Sequence, residues 1–410
     1  MRLIHLSLTN FRNFARLDID VPGGLVLLVG SNAQGKTSLL ESVNYLATFV
    51  SFQTTNERQL INFISSQDQI AVARIKAEFE DPSINSLKEL NTSGKHQIEV
   101  RIIQEKRNSD NSARLRKEIL VDGVKRKASE VIGSFNVVLF TPQMLRIIEG
   151  SPEDRRRYLN IALSQVVPAY AGLLTNYRKI LTQRNALLKQ LGERGGDEEQ
   201  LSFWDERLAS YGSKIIHARI QAVQELEKIA SINHANLTRN KEILRLTYDP
   251  AFDPLPKNHD QISFPFDTPL DRTTLSLEKI QENFLMVLAE LHREEIQRGV
   301  TTIGPHRDDL RLLSNGIDLG HFGSRGQNRT AILALKLAEV DWILDKTGAW
   351  PVLLLDEVLA ELDPVRRADL LSRVEQSEQA LLTTTDLDLF DKGFINKSQV
   401  WQIDEGRLEK

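Results

Sequence analysis

An eight-residue stretch near the amino terminus carries the clearest chemical pattern in the chain. It fits G-x-x-x-x-G-K-T without a gap and consists of Gly30, Ser31, Asn32, Ala33, Gln34, Gly35, Lys36 and Thr37. Glycines in such a loop allow backbone N–H groups to surround phosphate oxygens. The lysine then reaches the β- and γ-phosphates, and the hydroxyl that follows it binds Mg²⁺. The loop therefore predicts a site for ATP and Mg²⁺ in which Lys36 also assists catalysis.

Two adjacent carboxylates follow an apolar segment late in the chain. Residues 352–355 are Val-Leu-Leu-Leu, and Asp356 and Glu357 come directly after them. Carboxylate oxygens suit Mg²⁺, and a carboxylate beside the γ-phosphate polarises an attacking water. We expect Asp356 to hold the metal, directly or through water, and Glu357 to be the catalytic residue. The alternative is a strand that ends in two exposed acids.

A Ser-x-Gly-Gln segment stands just before a predicted helix. It consists of Ser324, Arg325, Gly326 and Gln327. A hydroxyl, backbone amides and a helix dipole at one helix start favour an anion. In ABC-type ATPases this signature, in the same order relative to the acidic pair, covers the γ-phosphate bound to the other subunit. Without that order, the segment would be an ordinary helix cap.

Two more segments match the ABC-type order. Asp363, in Glu-Leu-Asp, is similar to the D-loop of that class. Thr385 and Asp386 follow an apolar strand at the place where many ABC transporters carry a histidine. We expect Thr385 or Asp386 to sense the γ-phosphate instead. The missing histidine argues against a transporter motor.

The predicted elements place these residues on an α/β framework. A continuous apolar run at residues 25–29 predicts a buried strand before the loop, and residues 37–47 have helical spacing. Two apolar stripes on either side of a polar turn at residues 192–200 predict a short antiparallel helical hairpin, in which Arg184 is the single polar residue of the first stripe. We predict an ABC-type P-loop ATPase head with an inserted helical lobe. Its segments are residues 1–130, 131–300 and 301–410.

The composition restricts the remaining classes of function. The chain is 41% hydrophobic and 26% charged, with a formal net charge of -4, so any DNA binding requires a local basic face. Without cysteine, thiol catalysis and cysteine-ligated zinc are excluded. The first residues alternate apolar and polar types, and no run approaches the roughly 20 apolar residues of a membrane span. We expect a cytoplasmic protein with no membrane partner.

Motifs along the whole chain resemble the RecF family of bacterial recombinational-repair ATPases, which are related to chromosome-structural-maintenance proteins. The resembling segments are residues 8–14, 30–37, 150–160, 304–310, 324–339 and 356–363. The most specific of them are Gly304-Pro305-His306-Arg307-Asp308-Asp309 and the Arg155-Arg156-Arg157 run. The short helical arms also separate this family from its relatives with long coiled coils.

The resemblance implies an ATP-dependent homodimer that binds single- and double-stranded DNA at gaps, without sequence preference. It also implies weak, slow ATP hydrolysis that depends on DNA and regulates DNA binding, and RecO and RecR as partners in loading RecA during recombinational repair and replication-fork maintenance. Arg12 would contact the nucleotide; the alternative is a surface arginine. Gln143 would be a glutamine facing Mg²⁺, although the family often has an acid near that place. His306 and Arg307 link the nucleotide site to the helical lobe or belong to a buried hydrogen-bond network.

One alternative function is an ATP-gated, DNA-processing nuclease of a related ABC-type family. Such relatives append a domain with clustered carboxylates, and the few residues after Asp386 lead us to expect none here. The basic runs Lys125-Arg126-Lys127 and Arg155-Arg156-Arg157 are candidate contacts for DNA phosphates. Runs of this kind are more often solvated faces, and the arginine run equally suits the ATP site or the lobe interface.

Overall fold

A computed structural model of the chain describes residues 1–80, 94–106, 113–255 and 272–409. The chain forms two compact units. The first combines Met1–Met144 with Val340–Lys410, and the second is Leu145–Glu339. The first unit is thus built from two separate stretches of chain, which is the arrangement expected of a domain interrupted by an insertion.

The first unit is rich in strands. Its strands are β1 Arg2–Phe11, β2 Phe14–Asp20, β3 Gly24–Val29, β4 Ile70–Glu80, β5 Lys95–Lys106, β6 Ala113–Val121, β7 Val124–Arg126, β8 Val137–Phe140, β12 Val352–Asp356, β13 Gln379–Thr384, β14 Ser398–Asp404 and β15 Arg407–Glu409. Its helices are α1 Lys36–Thr48, α2 Ala128–Val131, α11 Pro364–Val374 and α12 Lys392–Lys397.

The second unit is mainly helical. Its helices are α3 Arg146–Glu149, α4 Pro152–Val166, α5 Tyr170–Arg194, α6 Gln200–Thr238, α7 Leu277–Glu290, α8 His292–Arg298 and α9 Leu319–Phe322. Its strands are β9 Leu244–Asp249, β10 Asp309–Ser314 and β11 Ile317–Asp318. Helix α10, Arg325–Thr347, contributes residues to both units.

Two six-stranded sheets form the first unit. One has the order β15-β14-β3-β13-β12-β8, and all its pairs are parallel except β14–β15. Strand β12 is buried throughout, as its continuous apolar sequence requires. The other sheet, β2-β1-β4-β5-β6-β7, is antiparallel, and β4 alternates buried and partly exposed residues. Helix α1 packs against strands of both sheets and so fixes the loop that precedes it.

The helical hairpin predicted from the two apolar stripes is present as α5 and α6, which pack against each other. Arg184, the polar residue in the first stripe, is fully buried. Its guanidinium donates to Asp205 Oδ1 and Glu295 Oε2, each at 2.6 Å. The stripe therefore tolerates an arginine because two buried carboxylates compensate its charge.

The compact units end at residues other than those of the segments predicted from the sequence. Residues 131–144 fall in the first unit because β8 pairs with β12. Residues 301–339 fall in the second unit, where β10 pairs with β9. Sheet partners far apart in the sequence thus decide both boundaries. Among the described residues, no helix is long and apolar enough to cross a membrane.

Candidate nucleotide-binding site

The predicted phosphate loop connects β3 to α1, the strand–loop–helix context that its sequence requires. Gly35 has φ 119°, and a Cβ there would lie 2.6 Å from Asn13 Nδ2. A Cβ at Gly30 would overlap the carbonyl oxygen of Ile403. Gly30 is therefore required by the close approach of the Ile403 backbone, and Gly35 by its left-handed conformation and by the nearby Asn13 side chain.

Lys36 is the first residue of α1 and is only 3% exposed. Its ammonium donates to the carbonyl oxygens of Gly30 at 2.5 Å and Ser31 at 2.9 Å. It also lies 3.3 Å from Glu357 Oε1. The structure thus brings the predicted phosphate lysine and the predicted catalytic acid together, across more than three hundred residues of sequence.

Asp356 is the centre of a hydroxyl–carboxylate cluster. The hydroxyls of Thr37 and Thr383 both donate to Asp356 Oδ1, each at 2.9 Å. Burial raises the pKa of Asp356, while the two hydroxyl hydrogen bonds lower it and the neighbouring Glu357 charge raises it. Carboxylate and hydroxyl oxygens are Mg²⁺ ligands, and a nearby cation would offset the burial of this carboxylate. Thr37 and Asp356 therefore fit the predicted metal site.

The two adjacent acids differ in environment, so the alternative of two exposed carboxylates at a strand end is wrong. Asp356 is 7% exposed, whereas the Glu357 side chain is 40% exposed. Glu357 adopts φ 49°, a left-handed conformation that turns the chain at the end of β12. Its backbone N–H donates to Thr383 Oγ1 at 3.0 Å.

Sequence reasoning assigned no role to Thr383, although it contacts both acidic residues. Parallel pairing places it directly opposite Asp356 on the neighbouring strand β13. The available signal was a threonine at the carboxyl end of a buried strand. That signal does not distinguish Thr383 from Thr385 and Asp386, because strand register cannot be read from one segment alone.

A cleft of about 1040 Å³ opens in front of the loop, at the upper end of the roughly 300–1,000 Å³ of small-molecule sites. All loop residues from Ser31 to Thr37 line it, together with Ser38, Arg12 and Glu357. Its lining also includes the apolar residues Ile61, Phe63 and Ile64, beside the polar residues Gln59 and Asn62. The cleft wall therefore carries both polar and apolar side chains.

Arg12 is not a free surface arginine. Its Nε and Nη2 atoms donate to the two carboxylate oxygens of Glu41 at 2.7 and 2.8 Å, and Nη1 donates to the carbonyl of Gln59 at 3.0 Å. Glu41 is fully buried. Arg12 thus compensates a buried charge at the cleft wall, and its contact with a nucleotide stays a prediction.

The signature segment lies in the second unit and forms a reciprocal helix cap. Ser324 Oγ accepts from the Gln327 amide at 3.2 Å, and Gln327 Oε1 accepts from the Ser324 amide at 3.1 Å. Ser324, Arg325 and Gly326 are exposed. Capping is therefore one role of this segment, and covering a γ-phosphate on a second copy stays a prediction.

Four other predicted site residues are absent from the described lining of the cleft. Asp363 caps α11 by accepting from the amides of residues 365 and 366, and these bonds lower its pKa. Asp386 accepts from the amide of residue 388 at 2.8 Å, and Thr385 is exposed. Gln143 is exposed on a short turn after β8. Their roles in a dimer or toward Mg²⁺ stay predictions.

Comparison with known proteins identifies the family. The profile of the RecF/RecN/SMC N terminal domain family matches residues 2–405. A DNA replication and repair protein RecF from Exiguobacterium sp. is 36% identical over 409 residues, which cover 100% of this chain and 99% of that protein. The chain belongs to the RecF family.

Solved structures agree with this assignment. The recombination mediator protein RecF with ATP, in the RecFOR pathway, has a TM-score of 0.80 and 28% identity, covering 100% of this chain and 97% of that chain. An Smc head domain with an extended coiled coil, from Pyrococcus furiosus, has a TM-score of 0.51 and 15% identity, covering 99% of this chain and 95% of that chain. The latter likeness concerns the fold alone. The predicted ABC-type ATPase head with an inserted helical lobe is confirmed.

The two segments that resemble the RecF family most specifically contact each other in the second unit. Arg155 Nε and Nη2 donate to the carboxylate oxygens of Asp309 at 2.7 and 2.9 Å. Arg156 donates to the carbonyl of Asp308 at 2.8 Å, and the Asp308 carboxylate accepts from buried Arg219 at 2.9 Å. Arg155 and Arg156 thus have partners within their own lobe, as the interface alternative for this run requires.

His306 belongs to the same network. Its Nδ1 lies 2.7 Å from the Tyr177 hydroxyl, and its Nε2 lies 3.2 Å from the carbonyl of Thr301. A ring protonated only at Nε2 satisfies both contacts, with the tyrosine donating to Nδ1. Burial lowers the pKa of His306 to about 4. These contacts favour a role for His306 in a buried hydrogen-bond network over a role in linking the nucleotide site to the helical lobe.

Proposed function

We propose that this RecF-family chain binds ATP with Mg²⁺ in the cleft, hydrolyses it slowly, and binds DNA as an ATP-dependent dimer. The observation that supports the proposal is that Lys36, Thr37 and Glu357 line one cleft. Lys36 lies beside Glu357, and Asp356 accepts a hydrogen bond from Thr37. The hydrogen bonds of buried Asp356 to two threonine hydroxyls could serve only to stabilise the fold. A purely structural role does not explain why the Lys36 ammonium and the half-exposed Glu357 carboxylate lie beside the phosphate loop.

Each side chain has a distinct task in this proposal. Lys36 binds the β- and γ-phosphates, and Thr37 and Asp356 hold Mg²⁺. When Mg²⁺ is bound, it would neutralise part of the negative charge of the phosphates. Glu357 accepts a hydrogen bond from the attacking water and orients it toward the γ-phosphate. Thr383 keeps Asp356 and the peptide N–H of Glu357 in place through one hydroxyl.

Dimerisation follows from the signature segment. Ser324 and Gly326 are exposed at the start of α10, where the helix dipole attracts an anion. We propose that this segment of a second copy covers the γ-phosphate, with Asp363 near the contact and Thr385 or Asp386 sensing the nucleotide. ATP then favours the closed dimer, and hydrolysis releases it.

The biological role rests on the relatives. Their names describe DNA replication and repair and a recombination mediator in the RecFOR pathway. We propose that this chain binds gapped, single- and double-stranded DNA without sequence preference and acts with RecO and RecR in the cytoplasm to load RecA. Hydrolysis is then weak and stimulated by DNA. Contacts with the DNA backbone make the binding sensitive to salt.

The nuclease alternative has no structural support. Within the part of the chain that the structure describes, no group of three or more His, Asp or Glu side chains could hold a metal ion. A cleavage assay on gapped duplex DNA with Mn²⁺ checks this point. Robust cleavage by purified chain would replace the proposed function with the alternative.

Light scattering tests the dimer. Glu357→Gln preserves the size of the side chain but cannot polarise water, so this variant should accumulate as a dimer with saturating ATP and stay monomeric with ADP. Lys36→Arg, the matched control, should stay monomeric with both. A Glu357→Gln variant that remains monomeric with saturating ATP would refute ATP-dependent dimerisation.

DNA binding requires a separate measurement. Fluorescence anisotropy of a labelled gapped duplex should show tighter binding with ATP than with ADP, and the difference should vanish in Lys36→Arg. The affinity should fall as salt is raised from about 50 to 200 mM. Equal binding isotherms with ATP, with ADP and without nucleotide would show that the cleft does not control DNA.

A further inference from the structure

Three side chains are the most exposed of the large apolar residues in the part of the chain that the structure describes. Phe63, Ile64 and Phe322 are 79%, 80% and 78% exposed, and no other residue of this kind there exceeds 63%. Single exposed apolar residues are ordinary on protein surfaces. These three are different because of where they lie. Phe63 and Ile64 line the cleft beside the phosphate loop, and Phe322 stands two residues before Ser324 of the signature segment.

Hydrogen bonds hold the apolar pair of Phe63 and Ile64 on a defined turn. Asn62 Oδ1 accepts from the Ile64 amide at 3.1 Å, and Ser66 Oγ donates to the Phe63 carbonyl at 2.6 Å. Asn62 Nδ2 also donates to the carbonyl of Arg12 at 2.7 Å. The turn therefore presents both side chains in a fixed direction, which lowers the entropy cost of binding a partner there.

Backbone contacts hold Phe322 next to the signature segment in a similar way. Phe322 is the last residue of α9, and the amide of Gly323 donates to the Leu319 carbonyl at 3.1 Å. A Cβ at Gly323 would overlap Asn328 Oδ1. The Asn328 amide donates to the carbonyl of Ser324 at 2.9 Å. The exposed phenyl ring is therefore fixed relative to the start of α10.

We propose that, in the ATP-bound dimer, Phe322 of one copy packs against Phe63 and Ile64 of the second copy, an inference that rests on the proposed function. In that function the signature segment of one copy covers the γ-phosphate that Lys36 of the other copy holds. Phe322 precedes the segment by a single glycine, and the apolar pair lines the cleft that the segment covers. An exposed apolar surface therefore stands on each side of the same contact.

The contact gives the dimer an apolar component beside the charged nucleotide. Packing the phenyl ring of Phe322 against the apolar pair removes surface of both copies from water, and only the closed dimer does so. Two identical copies related by a two-fold axis form each contact twice. Burial of one phenylalanine side chain corresponds to about a tenfold change in affinity, so two contacts correspond to roughly a hundredfold change.

Cross-linking between copies tests the contact, because the native chain contains no cysteine. Phe63→Cys and Phe322→Cys are made in two differently tagged chains, each also carrying Glu357→Gln, and the two are mixed with ATP. A short bis-maleimide should give a product that contains both tags, and the product should be absent with ADP. A disulfide is unsuitable, since it requires Cβ atoms about 4 Å apart and two packed side chains separate them further.

Phe203→Cys is the matched control for Phe322→Cys, since Phe203 is an exposed phenylalanine of the same unit, at 51%. Mixed with the Phe63→Cys chain and ATP, it should give no product with both tags.

Light scattering of the Glu357→Gln chain with saturating ATP gives a second readout. Phe322→Ala should raise the concentration of half-maximal dimerisation roughly a hundredfold. Phe322→Leu should retain most of the affinity, and Phe203→Ala should change nothing. A chain with both Phe63→Ala and Phe322→Ala should dimerise about as weakly as Phe322→Ala alone, because the effects of two residues in contact do not add.

The outcomes separate the contact from the dimer itself. If Glu357→Gln dimerises with ATP but the mixed cross-link is absent, or if Phe322→Ala dimerises as tightly as the parent chain, the apolar contact is overturned and the proposed function stands. Independent losses that multiply in the double variant would also overturn the contact. Failure of Glu357→Gln to dimerise with ATP would overturn the proposed dimer together with the contact.

Discussion

Replacing Thr383 by valine removes one hydroxyl from the centre of the site without changing the volume of the side chain much. The residue is 3% exposed, so water cannot replace the lost group. The hydroxyl donates to Asp356 Oδ1 at 2.9 Å and accepts from the Glu357 amide at 3.0 Å. Thr383→Val therefore leaves a buried carboxylate with one donor fewer and a peptide N–H without its acceptor.

The magnitude follows from these two bonds. A hydrogen bond to a charged group contributes about 1.5–3 kcal/mol, and a buried polar group left unpaired costs about 1–3 kcal/mol. Since the hydrogen bond of the Glu357 amide is only partly buried, we expect the free energy of unfolding to fall by about 2–4 kcal/mol at pH 7. We also expect slower ATP hydrolysis, because both acidic residues lose a positioning contact.

The loss should depend on pH. Burial already raises the pKa of Asp356 above its ordinary value of 3.8, and removing a donor to the carboxylate raises the pKa further. For a carboxyl group with a raised folded-state pKa, its contribution to stability is complete below pH 3.8 and is lost as the pH rises through the folded-state pKa. Thr383→Val should therefore be less destabilising near pH 4 than at pH 7.

Urea denaturation followed by tryptophan fluorescence measures this effect. Trp342, Trp350 and Trp401, three of the four tryptophans, lie in the unit that contains the site. Thr384→Val is the matched control, because Thr384 is equally buried and its hydroxyl bonds only to backbone atoms of Asp386 among its described partners. The control should lose about 1–2 kcal/mol of stability, with no added pH dependence and little change in hydrolysis. Wild-type stability and hydrolysis in Thr383→Val would refute the reasoning.

Three further changes have calculable outcomes. Arg184→Met should lower the free energy of unfolding by about 3–5 kcal/mol in urea titrations, because it leaves two buried carboxylates without their cation; an unchanged midpoint would contradict the buried pairing. Arg12→Ala should cost about 2–4 kcal/mol by leaving buried Glu41 unpaired, and Arg12→Lys should recover only part of that loss, since lysine cannot make the two-pronged contact. The pKa of His306, lowered to about 4, predicts stability that is complete above pH 6.5 and lost as the pH falls toward 4, by roughly 3 kcal/mol. His306→Asn should flatten that pH dependence of thermal unfolding, and an unaltered slope would assign it to other groups.

The local motifs were predictable because their chemistry depends on neighbouring residues. The phosphate loop needs its glycines, lysine and threonine within eight positions, and an amphipathic helix shows its apolar face within a few turns. Accordingly, the loop, the acidic pair and the helical hairpin all appear where the sequence placed them. The RecF resemblance rests on the same kind of contiguous segment.

Tertiary structure alone decided which polar residues meet. Thr383 reaches Asp356 only because β13 pairs with β12 in one register, and Arg12 meets Glu41 only because the end of β1 lies against α1. The difference between buried Asp356 and half-exposed Glu357 depends on one left-handed residue at a strand end. Loop and helix motifs are local in the chain, but strand register, burial and charge pairing depend on residues far apart in sequence. For that reason the sequence predicted the site, and the fold determined which residues complete it.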